Sequence, residues 1–150
     1  MSRAEQFEPL DPASVERWQK FGKWDRVYFP GLVGLQVEEV RRDYCRMRLP
    51  FRPELEQPAG VVHGGAIATI LDSVVVPAVG SAYSAEHRYS TVDMNVQYLS
   101  ALVQEDAIAE GWVVKRGRTM VFCEAELIGA TKGNLVARSL LTYHVSVARS

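Results

Sequence analysis

Residues 61–80 are almost wholly apolar, interrupted only by His63, Thr69, Asp72 and Ser73, and no other stretch restricts the fold so strongly. At about 1.5 Å of rise per residue the run is long enough to cross a bilayer. Asp72 at its centre, Pro77 and the Gly64-Gly65 pair argue against a membrane span, as does the short alternating pattern elsewhere. A helix apolar on every side is otherwise the central helix of a core, and it needs cover all round. A curved antiparallel sheet wrapped around it supplies most of that cover, so the expected architecture is α+β.

The flanking sequence provides the strands. Residues 11–24 read as an N-terminal helix, with Asp11 as cap, Pro12 at the first helical position, and Val15, Trp18 and Phe21 on one face. Pro30-Gly31 then breaks the chain. Residues 32–38 and 44–49 read as strands on either side of a charged patch. Pro50, Pro53 and Pro58 mark an irregular approach to the helix that begins near Gly64. His87 and Arg88 fall in the loop after that helix. Val92, Met94, Val96 and Tyr98 next alternate with Thr91, Asp93, Asn95 and Gln97, as in a half-buried strand. Strands at about 107–115, 120–128 and 135–147 follow, and their short glycine-containing loops predict an antiparallel meander. The chain divides into an N-terminal helical extension, residues 1–28, and a main domain, residues 29–150.

Composition narrows the function. A chain of 150 residues suffices for one domain with a real core. A formal net charge of -1 gives no basic surface for nucleic acid. Cys45 and Cys123 sit in apolar alternating segments without a disulfide framework, as expected of free thiols in a reducing cytoplasm. His63, His87 and His144 are scattered and lack paired cysteines, so no metal site is expected. The first residues have no apolar core of the kind a secretory signal needs.

The apolar helix also carries chemistry. His63, Gly64 and Gly65 open it, and a lone carboxylate, Asp72, follows. Backbone N–H groups at a helix start attract developing negative charge. A carboxylate among aliphatic side chains is a candidate base or nucleophile. Those two tools suit hydrolysis of an activated acyl group.

With His63-Gly64-Gly65 and Asp72 go three further stretches: the lead-in Pro58-Ala59-Gly60-Val61-Val62, the strand from Ser90 through Val92-Asp93-Met94-Asn95 to Tyr98, and the Gly117-Arg118 hairpin. Together they resemble the hotdog-fold acyl-CoA thioesterases, specifically the phenylacetic-acid-degradation type, over about residues 29–147. The resemblance implies a hotdog fold: a curved antiparallel sheet around one long helix. It also implies Asp72 as general base or nucleophile, Gln57 as the residue that places substrate or water, and Thr91 as an assisting hydroxyl. Ser90 and the hairpin residues Lys115, Arg116, Gly117, Arg118 and Thr119 would contact coenzyme A, which is part of substrate and product; no cofactor is required. Some relatives carry a threonine four residues after the acid; Val76 stands there, so that variant of the site is not supported. His63 reads equally as a hydrogen-bonding residue at the helix entry or as a catalytic one. Lys115, Arg116, Arg118 and Lys132 also fit a solvated turn, and Trp112, Phe122 and Tyr143 read as core or interface aromatics.

Spacing adds a constraint of its own. Seven residues apart, Gly65 and Asp72 share a helix face but stand about 10 Å apart along the axis. One thioester carbonyl cannot touch both within a single helix. Either a working site joins the helix start of one subunit to Asp72 of another, as in the antiparallel dimers that the resemblance implies, or Asp72 is not catalytic; the expected assembly is a dimer or a tetramer. Acyl-CoA hydrolysis is the expected function. A non-catalytic acyl-CoA binding protein is the first rival. A hydratase or dehydratase is the second, although no histidine is placed to pair with an acid for it.

Overall fold

A computed structural model describes residues 1–147 of the chain; the last residues of the expected main domain, 148–150, lie outside the described residues. Six strands form one antiparallel sheet: β1 (Gln36–Arg41), β2 (Tyr44–Leu49), β3 (His87–Tyr98), β4 (Ala107–Arg116), β5 (Met120–Gly129) and β6 (Leu135–Val147). Their spatial order is β1-β2-β4-β5-β6-β3. Helix α3 (Gly64–Gly80) packs against all six, giving the hotdog arrangement of a curved sheet around a central helix. Along it Ile67, Ile70, Leu71, Val74, Val75, Ala78 and Val79 are buried. Pro77 lies inside the helix, which nevertheless continues to Gly80. So near the C-terminal end, the missing N–H removes one bond and breaks nothing further.

The meander holds for β4, β5 and β6, but not for β3. That strand pairs with β6 at the far edge of the sheet rather than with β4. Residues 99–106 are long enough to carry the chain from one side of the sheet to the other, and this connection, unlike those after β4 and β5, has no glycine to form a tight turn. A bulge in β3 overturns a second expectation. Thr91 pairs with Tyr143 and Asp93 with Thr142, leaving Val92 unpaired and 53% exposed. The extra residue shifts the alternation, so Thr91 and Met94 both face α3. His87 and Arg88 belong to β3, not to the preceding loop.

The N-terminal region differs in detail. Helix α1 (Pro12–Gln19) is capped by Asp11 as expected, its side chain accepting from the Ser14 N–H at 2.9 Å. It stops short of residue 24, and Gly22 at φ +85° turns the chain. Residues read as the start of a strand form α2 (Phe29–Val33). Pro30 sits in the first turn, where its missing N–H costs nothing, and Gly34 at φ 86° closes the helix; β1 consequently starts at Gln36. The extension shares the main core: Trp18 and Phe21 are buried in the same apolar cluster as α3. Trp18 lies against Gly80 so closely that a Cβ there would come within 2.2 Å of the indole ring.

Candidate active site

One stripe of α3 has no cover from its own sheet. Gly65, Ala68, Thr69, Asp72 and Ser73 line a groove of about 250 Å³, closed on its flanks by Phe29 of α2 and Met94 of β3. The spacing i, i+3, i+4, i+7, i+8 is that of a single helix face. A larger concavity, about 360 Å³, is lined by Trp112, Glu126 and Leu140 among others on the outer side of the sheet. It holds none of the residues expected at the site.

Asp72 is half-buried at the deep side of the groove. Its Oδ1 accepts hydrogen bonds from the Thr91 hydroxyl at 2.9 Å and from the Tyr143 hydroxyl at 2.5 Å. Among the described residues Oδ2 has no hydrogen-bond partner. The Tyr143 oxygen also lies 2.8 Å from the Asp72 carbonyl, but its one proton is held more strongly by the charged carboxylate. Burial first, then the neighbouring Asp72 charge, pushes the Tyr143 hydroxyl well above the usual tyrosine range. It therefore remains a donor. The β3 bulge is what brings Thr91 to this point, directly opposite Tyr143.

At the other end of the groove, His63 caps α3. Its Nδ1 accepts the Gly65 N–H at 2.8 Å, and its carbonyl accepts the Ala66 N–H at 2.9 Å. The Gly64 N–H has no partner among the described residues. Tyr98, at the end of β3, donates to the Gly64 carbonyl at 2.9 Å and packs its ring against Gly64, tying the helix start to the sheet. Gln57 closes the turn before this entry: its Oε1 accepts from the Ala59 N–H at 2.8 Å. No group of side chains suited to a metal ion occurs among the described residues.

The expected coenzyme A contacts divide. Lys115, Arg118, Thr119 and Ser90 are exposed, and Gly117 forms the β4–β5 turn through its N–H to the Met120 carbonyl at 2.8 Å. Arg116 is committed elsewhere. Its guanidinium pairs with Asp43 and lies 4.9 Å from the centre of the Tyr83 ring. Burial opposes its charge, but Asp43 and Tyr83 outweigh that and raise its pKa. Tyr143, which sequence reading took for packing alone, is the further residue that the structure places at the candidate site. A hydroxyl-bearing ring between Leu141 and Val145, on an otherwise apolar inward face, was the available signal. Tyr98, taken as part of a strand face, adds the anchoring contact at Gly64.

Residues 59–135 match the family model described as Thioesterase superfamily. Human acyl-coenzyme A thioesterase 13 is 31% identical over 102 residues, covering 67% of this chain and 71% of that protein. The mouse protein of the same name is 33% identical over 87 residues, 57% of this chain and 61% of its own length. This chain thus spans less than two thirds of the mouse protein. The crystal structure of zebrafish thioesterase superfamily member 2 superposes with a TM-score of 0.76 at 25% identity, over 87% of this chain and 96% of that one. A thioesterase structure from Haemophilus influenzae shares the fold, with a TM-score of 0.81 at 16% identity over 96% of each chain. The family match takes in the central helix and strands β3, β4 and β5, and the chain belongs to the thioesterase superfamily, the thioester hydrolases of the hotdog fold.

Proposed function

We propose that the protein is an acyl-CoA thioesterase, converting an acyl-CoA and water into a carboxylic acid and free coenzyme A. The observation that carries this reading is the asymmetry of Asp72. Thr91 and Tyr143 hold Oδ1, while Oδ2 is unpartnered beside a groove that leads to the helix start. Such a carboxylate serves in two ways. It adds to the thioester carbonyl carbon, expelling the coenzyme A thiolate and leaving an anhydride that water opens. Alternatively, it takes a proton from a water molecule that attacks the same carbon.

The negative charge that develops on the carbonyl oxygen needs donors, and these lie at the start of α3. Gly65 and Asp72 are about 10 Å apart along the helix, so in this reading the Gly65 N–H of one protomer serves the Asp72 of its partner. His63 holds that N–H in place until the carbonyl oxygen arrives, and Gln57 places substrate or water from the adjoining turn. The strand β3, twelve residues long, stands at the sheet edge. Its unpaired edge favours addition of a second copy, and pairs of such dimers would make the tetramer. Lys115 and Arg118 offer charge for the coenzyme A phosphates, with Ser90, Gly117 and Thr119 beside them; Arg116 supports the hairpin through Asp43. No cofactor takes part. Two buried free thiols support a cytoplasmic location, and among the described residues no helix is long and apolar enough to cross a membrane.

Asp72→Asn removes the base or nucleophile with little change in shape. Free-thiol release from a panel of acyl-CoA substrates should fall by about a thousandfold, with the oligomer intact. Unchanged turnover would refute the assignment. Tight acyl-CoA binding by the unaltered protein without thiol release would favour a binding protein instead.

A further inference from the structure

We propose that Phe29 and the apolar segment around it form the acyl-selecting wall of the site. Phe29 thereby sets how strongly the site discriminates a long alkyl acyl group from acetyl. This rests on the reading of the Asp72 groove as an acyl-CoA site. Five large apolar side chains stand exposed within one short stretch: Trp24 at 44%, Val27 at 71%, Tyr28 at 48%, Phe29 at 58% and Leu32 at 59%. Single exposed apolar residues need no explanation, but a contiguous group of them marks a binding surface.

The segment is held in place. Gly31 approaches Gly22 so closely that a Cβ would lie 2.6 Å from the Gly22 carbonyl oxygen. Arg52 donates to the Leu32 carbonyl at 2.8 Å, and Val33 packs on the core. In the single turn of α2 this leaves Phe29 and Leu32 turned outward. Trp24 and Tyr28 meet edge to face at 5.6 Å, and Trp24 meets the buried Phe21 at 5.3 Å, so the aromatic surface is anchored at its base. Phe29 also lines the groove that holds Asp72, as does Met94. Continuity with Asp72 identifies the occupant. A carbonyl at Asp72 carries its acyl group along the apolar flanks, while the donors for its oxygen come from the helix start of the partner protomer. An acetyl group presents one methyl to this wall. Each further methylene that reaches it tightens binding about fourfold.

The test uses the thioethers S-methyl-CoA and S-octyl-CoA, which cannot be hydrolysed, with binding measured by calorimetry and the oligomer followed by light scattering. The unaltered protein should bind the octyl compound at least about tenfold more tightly. Phe29→Ala should shrink that ratio by about fivefold or more, and Phe29→Leu should keep most of it. An unchanged ratio in Phe29→Ala overturns the proposal, as does the absence of any preference in the unaltered protein. Loss of the ratio together with dissociation of the oligomer also overturns it, and makes the segment an interface between copies. Thiol release from octanoyl-CoA separates the two readings: a binding preference without turnover sinks the hydrolase reading and leaves the acyl wall standing.

Discussion

At the scale of single residues, the proposed chemistry depends on a carboxylate with one occupied and one open oxygen. Tyr143 and Thr91 orient it from two strands, so it reacts from a fixed position rather than by searching. Removing the Tyr143 hydroxyl takes away a hydrogen bond to a charged group, worth about 1.5–3 kcal/mol. Tyr143→Phe should therefore lower kcat by about tenfold or more while the fold persists; steady-state thiol release and circular dichroism check both. The placement of His63-Gly64-Gly65 and Asp72 was legible in the sequence because they sit on one element at fixed spacing. Thr91 was legible only through resemblance. The part Tyr143 plays was not, because it depends on which strand lies beside β3, and no local pattern in β6 specifies that neighbour.

At the scale of elements, α3 could be read almost to its ends, since seventeen residues with so few polar positions admit few other structures. The elements that escaped reading were those that tertiary contact decides. The Pro30-Gly31 pair looked like a break, yet α2 forms there because Gly31 has close backbone contact with Gly22 to hold it. The β3 alternation was visible, but not the bulge at Val92, which exists to pair β3 with β6 and turn Thr91 inward. The docking of α1 on α3 yields a direct test. A Cβ at Gly80 would meet the Trp18 ring at 2.2 Å and 2.4 Å, and overpacking of this kind costs about 1–3 kcal/mol. Gly80→Ala should lower the urea midpoint accordingly; an unchanged midpoint would mean that α1 is not seated on the helix.

At the scale of the whole molecule, the sheet leaves one stripe of the helix open, and that open side holds the candidate site. The covered interior is dry enough to silence both thiols. Burial raises the Cys45 thiol far above its usual range and pushes the Cys123 thiol up to about 12. Neither should react with a thiol reagent in the native protein at neutral pH, and both should react after unfolding in denaturant. The open side of α3 asks for a second copy, and that requirement is the central claim. Co-expression of two inactive variants tests it most directly: Asp72→Asn, which lacks the carboxylate, and Gly65→Pro, which lacks the N–H and with it the His63 cap but breaks no bond within the helix. If each site draws on two protomers, mixed dimers contain one intact site, and about a quarter of the unaltered activity should return. If Gly65 and Asp72 serve the same site within one chain, every mixed dimer lacks an intact site, and no activity should return.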